Sequence, residues 1–533
     1  SKPEIFKMPS KPAEIVWKAY SNLGKTDHPY MSGVFEPNFE EVNAPDLPVI
    51  QGEIPSDVDG IYIRNTEQPT LKPMGRYHPF DGDAMLHQVS LHQGKCSYRN
   101  RYVRTDGFLA EQMEKESLWA GVSEKNIKSK RPGWGAEGSL KDTSSTDVVV
   151  HNGRILSMFY RCGEAYRLDP ETLENLGKET YGGKFPKDGF SAHAKVDEET
   201  GELLFFNYGT TAPFMHYGVV SPDDVIINYV QVPLSAPKLP HDMCFTKNFS
   251  ILSDLAVQFD EKVLAKGGFK NVTCRKPCHF VIIPRYGKTE DIRFFEVKKT
   301  FVLHFLNAYE SVDPHNGHAI ITLDGYRQCA YDGPMERKPD MSWQNEVPEK
   351  YHKIFPTLGG LDVLVCKLWR WKFDLTTGKT CWEGPLDDKV DRCAEFGVIN
   401  QAVAGCPHRF AYSCTLKPGW FLLTGFVKHD VVDGTSSSYE FGSNRFCSEP
   451  AFAPRNNPKS EDDGYLVTFV TDMNNKTSEF VMIDARDVEA GPVCRLKLPH
   501  RISSGTHACW CPRRLLEKSA YWKTKRKTTP SKL

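Results

Sequence analysis

The chain has 533 residues, 40% of them hydrophobic and 25% charged, enough for a large folded core and unlike a disordered chain. A formal net charge of -1 removes any bulk electrostatic argument for nucleic-acid binding. No run approaches the roughly 20 apolar residues of a membrane-spanning helix, and 15 cysteines without framework spacing read as reduced thiols of a cytoplasmic protein.

In chain order, the first residues carry no apolar signal core. The pattern over 12–20 predicts a short helix. A second helix is predicted over 106–123, with Leu109, Met113 and Leu118 at helical spacing. After residue 146 the reading changes to strand, turn, strand. Asp147-Val-Val-Val-His151 meets the turn Asn152-Gly153, then Arg154-Ile-Leu-Ser-Met-Phe-Tyr160, then Ala165-Tyr-Arg-Leu168 before Asp169-Pro170. The same punctuation recurs around Leu203-Leu-Phe-Phe206, Trp369-Arg-Trp-Lys-Phe373 and Tyr465-Leu-Val-Thr-Phe-Val470. Repeated units without helical crossovers predict an all-β fold, a propeller or a sandwich. No linker composition is visible, so one domain over 1–533 with inserted loops is expected, ending in a basic, disordered tail over 523–533.

Four histidines stand in short strand-like runs: Ser191-Ala-His193-Ala-Lys195, Leu239-Pro-His241-Asp-Met243, Val302-Leu-His304-Phe-Leu306 and Gly505-Thr-His507-Ala-Cys509. Histidine is the commonest metal ligand, but these four are neither helical i, i+4 pairs nor part of a Cys-x-x-Cys pattern. By spacing alone, a structural role is the better reading of each. His87 reads as structural and His151, beside a turn, as exposed. The pairs Cys274/Cys278 and Cys509/Cys511 read as ordinary thiols. There is no Gly-x-Gly-x-x-Gly after a strand and no P-loop.

The sequences around these histidines resemble the carotenoid cleavage oxygenase family. Gly60-Ile-Tyr-Ile-Arg64-Asn65 and Phe80-Asp-Gly-Asp-Ala-Met-Leu-His87 look like two of its N-terminal motifs. The four histidine segments, Glu395-Phe396, Glu449-Pro450 and Glu461-Asp-Asp-Gly-Tyr-Leu466 follow in family order. The resemblance implies a seven-bladed β-propeller with a helical and loop cap over the metal site. It also implies ferrous iron held by His193, His241, His304 and His507. Four neutral imidazoles leave two open positions on a six-coordinate ion, whereas zinc would close a tetrahedral site and become structural.

The family orients its ligands with three glutamates, and Glu395 and Glu449 match two of them. Where the third would lie, this chain has Tyr160 and Arg161, with Glu164 a few residues late. Thr146 stands where the family places a small residue near the vacant positions. With Tyr160 and Phe80 it forms the expected substrate pocket. The implied reaction is cleavage of a C=C bond by dioxygen. The wording of the motifs is nearest the microbial stilbene and phenylpropanoid branch, though that branch's lysine and tyrosine for the substrate hydroxyl find no match. Tyr160 or Lys141 could hold a phenol instead. The expected partners are a small apolar or phenolic alkene and dioxygen, with no nucleic acid; an enzyme free of the membrane is favoured over one that docks on it, and the second reading stays open. Two alternatives remain: cleavage of a carotenoid or apocarotenoid, and a non-catalytic propeller that binds partners around a metal.

Overall fold

Antiparallel β-sheet dominates the computed structural model, which describes residues 11–122, 124, 127–133, 140–260, 262, 271–273, 277–328, 342–352, 366–386, 393–417 and 420–528. Four sheets are simple meanders of four strands each. The first runs Asp147–His151, Arg154–Met158, Tyr166–Leu168, Asn175–Lys178. Its opening turn has Asn152 at φ 44° and Gly153 at φ 72°, the two positive angles that an Asn-Gly hairpin turn needs to match strand twist. The second runs Lys195–Val196, Leu203–Tyr208, Phe214–Val220, Ile226–Pro233. The third contains Cys244–Phe245, Phe249–Asp254, Cys278–Pro284 and Arg293–Val297. The fourth contains Val302–Val312, Ala319–Gln328, Cys366–Asp374 and Lys379–Pro385.

A larger sheet holds two more such runs: Ala394–Val398, Phe410–Leu416, Leu423–Asp430, Thr435–Glu440, and Ala451–Pro454, Gly464–Asp472, Thr477–Asp484, Pro492–Lys497. The last sheet joins distant parts of the chain. Ala508–Pro512 pairs antiparallel with Gly60–Arg64, which pairs with Asp83–His92 and, through it, Lys95–Tyr102. Neighbouring sheets pack through apolar side chains. Phe280 meets Trp371 and Phe305 of the adjacent sheet edge to face at 5.2 and 5.7 Å, the geometry that aromatic quadrupoles prefer.

Three expectations are corrected. Residues 12–20 are not helical: Glu14–Lys18 is a strand on Glu40–Ala44, as β-branched Ile15 and Val16 favour. Trp17 there packs on Tyr102 and Phe108 under the Arg104 guanidinium. The helix expected over 106–123 is Asp106–Glu114. It is capped by Thr105 and stopped by Lys115 at φ 60°. In the tail, 523–528 belong to the helix Ala520–Thr528, with Trp522 buried and Lys525 paired with Asp169 at 2.7 Å; 529–533 lie outside the described residues. Cys274 also lies outside them. No described helix is long and apolar enough to cross a membrane.

Candidate metal centre

Each of the four histidines enters from an edge strand of a different sheet, or from the loop just before it. His193 and His241 precede Lys195–Val196 and Cys244–Phe245, His304 is the third residue of Val302–Val312, and His507 precedes Ala508–Pro512. One nitrogen from each ring lies within 4.8 Å of those of the other three. Adjacent ring centroids are 4.5 to 5.2 Å apart, as for His193–His507 and His241–His304. The Nε2 atoms of His193 and His241 are 3.2 Å apart. His304 Nε2 is buried with no hydrogen-bond partner, an arrangement that costs free energy unless something accepts its lone pair. Four inward-facing imidazoles, one of them orphaned, fit a divalent transition metal.

Burial pushes His193 and His241 well below the usual histidine pKa and takes His304 down to about 3, so these rings are neutral, as ligation requires. For His507 burial also disfavours charge, but the Glu449 carboxylate outweighs it and carries the ring up to about 9.

Carboxylates hold the rings from behind. Glu395 Oε2 lies 2.6 Å from His304 Nδ1 and accepts the Phe396 N–H at 2.6 Å. Glu449 Oε2 lies 3.2 Å from His507 Nδ1 and accepts the Ala508 N–H at 2.6 Å. Glu449 therefore fixes both its ring and the backbone next to it, whereas Glu395 holds its ring and is itself steadied by the N–H of its own neighbour. Glu164 does not join them: its carboxylate pairs with Lys178 at 2.6 Å and accepts from Tyr166 Oη. Asp147 is the carboxylate that sequence reasoning missed. Its Oδ2 accepts the His193 N–H at 2.9 Å and lies 3.6 Å from Nδ1 of the same ring. The bond also secures a backbone at φ 68°, a left-handed conformation that costs a non-glycine residue about 1–3 kcal/mol. Asp242 is a second omission: it pairs with Lys195 and accepts the Phe305 N–H, beside three of the histidines. A lone acid next to a histidine or opening a strand is too common for sequence to single out.

Tyr160 takes the place where a third glutamate was expected, its ring 6.4 Å from that of His241. Its carbonyl accepts from Tyr208 Oη at 2.7 Å and Ser191 Oγ at 3.2 Å, and Arg161 Nε donates to its hydroxyl. Thr146 accepts the Tyr160 N–H through Oγ1, and its carbonyl accepts from Thr506 Oγ1. It thus braces the residue preceding His507. Phe80 contacts Tyr160 at 5.3 Å and Phe421 at 6.0 Å. Phe421 meets Phe396 at 5.4 Å, and Phe396 meets His304 at 4.9 Å. An aromatic wall thus runs from Tyr160 to the histidines. A cleft of about 60 Å³ opens on Phe80, Phe159, Tyr160 and Lys141. Lys141 is already paired with Asp83 and Glu111. Another cavity of about 20 Å³ shares Tyr77 and Phe80, and a third of about 210 Å³ is lined by His193, His507 and Asp147. His87 is fully buried and bonded to Tyr98 Oη. His151, expected at the surface, is buried too, its Nε2 on the Gly201 carbonyl. The hairpin turn after it folds the ring under the neighbouring sheet.

The family model described as "Retinal pigment epithelial membrane protein" (RPE65) matches residues 35–512. The chain is 30% identical over 516 residues to a carotenoid 9,10(9',10')-cleavage dioxygenase 1 of Arabidopsis thaliana, covering 90% of this chain and 89% of the relative. It is 27% identical over 508 residues to an isoeugenol monooxygenase of Pseudomonas nitroreducens, covering 92% of this chain and all of the relative. Among solved structures, lignostilbene dioxygenase of Pseudomonas brassicacearum superposes with a TM-score of 0.75 at 26% identity, over 92% of this chain and 100% of that one.

Proposed function

The chain belongs to the RPE65 family, the carotenoid cleavage oxygenases, and from that premise we propose that it cleaves the C=C bond of an aromatic alkene to two carbonyl products, using ferrous iron and dioxygen. The substrate class is a 4-hydroxystyrene, an isoeugenol-like phenylpropanoid or a stilbene, with vanillin-type aldehydes among the products. The observation that carries this reading is the convergence of four imidazoles, three of them on buried residues, beside an aromatic wall.

His193, His241, His304 and His507 would hold the iron, which when bound supplies the activation of dioxygen. Glu395 and Glu449 keep the Nδ1–H tautomer of His304 and His507, so that Nε2 points inward. Asp147 holds His193 through its backbone. Phe396, Phe421, Phe80 and Tyr160 would position a flat conjugated substrate by ring packing and exclude water from it.

Seven four-stranded antiparallel units support reading the fold as a seven-bladed propeller in one domain: four separate sheets, two runs in the ten-stranded sheet, and the unit closed by Ala508–Pro512. The segment around Asp106–Glu114, which lines the first cleft through Glu111, is read as part of the cap.

A second reading, cleavage of a carotenoid or apocarotenoid, is favoured by the Arabidopsis relative. The experiment that separates them is a panel of 4-vinylguaiacol, isoeugenol, resveratrol and a long apocarotenal with anaerobically iron-loaded protein and product identification. Turnover of the phenolic alkenes is expected; turnover of the apocarotenal alone overturns the substrate class. Sub-stoichiometric iron together with no cleavage of any member of the panel would instead favour the non-catalytic binding module.

A further inference from the structure

The cavity of about 210 Å³ beside His193 and His507 has no part in the roles above. Its walls come in runs over 147–150, 193–196, 397–399, 451–452 and 507–511, from five different antiparallel units. Each run starts at, or two residues after, a histidine or carboxylate of the centre: Asp147, His193, Glu395, Glu449 and His507. The cavity is therefore a channel that leads away from the histidines between these units. Val150 stands three residues beyond Asp147, about 10 Å along an extended strand. Val149, Val150, Val196 and Val398 are half-buried rather than buried, so water reaches these walls.

The two ends differ. At the inner end lie His193 and His507 with Asp147 and Glu449, the carboxylates that hold them. Toward the outer end lie Glu198, Gln401 and Leu515, and Gln401 is exposed. The Glu198 side chain is 17% exposed, and that of its partner Arg514, 3.5 Å away, is 55% exposed. So loose a pair contributes little, and the carboxylate can change partner. Burial holds Glu198 above the usual carboxylate range, a cost that a cation beside it offsets. Lys195, which also lines the wall, is tied to Asp242 at 2.7 Å. Phe396, on the aromatic wall, closes on His304 and His507 at 4.9 and 5.3 Å. Among the described residues, none lines both the channel and the cleft beside Tyr160.

Carboxylates set in low-dielectric walls focus an attractive field on cations, and oxygen donors replace the water that a divalent ion sheds. We propose that this channel is the path by which the metal ion enters and leaves the four-histidine centre, with Glu198 as the carboxylate that receives it. Asp147 and Glu449 extend the same negative charge to the inner end, beside the two ligands that line the channel. This rests on reading the four histidines as a metal centre and is independent of which alkene is cleaved.

The test follows ferrous iron into and out of the full chain without oxygen: uptake by chelator-stripped protein, and release to excess ferrozine read by absorbance. Val150→Phe and Val398→Phe, on different sheets, narrow the channel. An obstructed path raises the barrier in both directions, so each variant should slow uptake and release alike, by about tenfold, and leave iron affinity unchanged. Glu198→Gln should slow uptake about threefold at low ionic strength and by less in salt, which screens the attraction. That half-buried position decides the matter if neither phenylalanine variant folds. Ala120→Trp, in the cleft beside Tyr160, should leave both rates at their wild-type values. Unchanged rates in the folded channel variants, or equal slowing by Ala120→Trp, overturn the proposal, as does slower uptake that a loss of affinity accounts for. A wild-type chain that binds no iron overturns the metal centre and the path together. The expected rates in a protein that cleaves no alkene would keep the path and reject the oxidative reading.

Discussion

Lys195 Nζ lies 2.7 Å from Asp242 Oδ1, and this ion pair ties the His193 segment to the His241 segment. The other carboxylate oxygen of Asp242 accepts the Phe305 N–H at 2.8 Å, beside His304. One aspartate thus links three loops or strands that each deliver a histidine. Its side chain is 1% exposed, whereas that of Lys195 is 28% exposed. Removing the carboxylate would leave a confined ammonium and an unpaired backbone N–H.

Asp242→Asn is therefore expected to lower iron affinity about 10–100-fold, the effect typical of losing an outer partner of a metal site, and to destabilise the fold by about 3–5 kcal/mol as a broken buried pair. A competitive chelator titration and a urea unfolding curve measure the two effects. Wild-type affinity in the variant would mean that the histidine segments are held independently.

The carboxylates behind the rings should separate by residue. Glu395→Gln and Glu449→Gln each exchange the charged acceptor of a ligand Nδ1–H for a neutral amide and should reduce iron affinity about 10–100-fold. Glu164→Gln, at a carboxylate bonded to Lys178 and Tyr166, should leave iron content unchanged. Equal losses in all three variants would contradict this division.

Acid should weaken the fold through histidines outside the centre. Burial lowers His28 to about 4 and His78 to about 3. Each ring accepts a backbone N–H at Nδ1, from Tyr30 and Phe80 respectively, and cannot do so when that atom is protonated. Between pH 6.5 and those depressed values the unfolded chain binds protons that the native state does not, so stability falls as pH falls. From pH 7 to pH 5 the loss should be about 2 kcal/mol for each ring. His28→Asn/His78→Asn, with an amide oxygen in place of each Nδ1, should flatten the pH dependence of urea unfolding. An unchanged slope would contradict the assignment.

The C-terminal helix should matter to stability. Trp522 is 2% exposed, and Lys525 pairs with both Asp169 and Glu171. Trp522→Ala is expected to cost about 3–5 kcal/mol, as for other large aromatic truncations. A thermal midpoint equal to that of the wild type would return this segment to the role of a loose tail.

Much of this architecture is legible from local pattern. The Asn152-Gly153 hairpin, the Leu203 and Trp369 strands and the four histidine segments all carry their signals within a few residues. Glu395 and Glu449 were found only through the motifs around them. Asp147 and Asp242 act on histidine segments that lie 46 and 63 residues away, at His193 and Phe305. No periodicity or propensity encodes such a pairing. Glu14–Lys18 was misread because its strand character comes from pairing with Glu40–Ala44 and from Trp17 packing on Tyr102, both tertiary. Near Tyr160, where a third glutamate was expected, the carboxylate close to a ligand ring is Asp147, which serves His193.

The central claim is that the four-histidine cluster uses iron to divide an alkene with dioxygen. Its most direct test is single-turnover reaction of iron-loaded protein with isoeugenol under labelled dioxygen, with mass analysis of both carbonyl products. The account predicts one labelled oxygen atom in each product, stoichiometric with iron, and no product from His304→Ala. Unlabelled carbonyls, or cleavage that persists without iron, would contradict it.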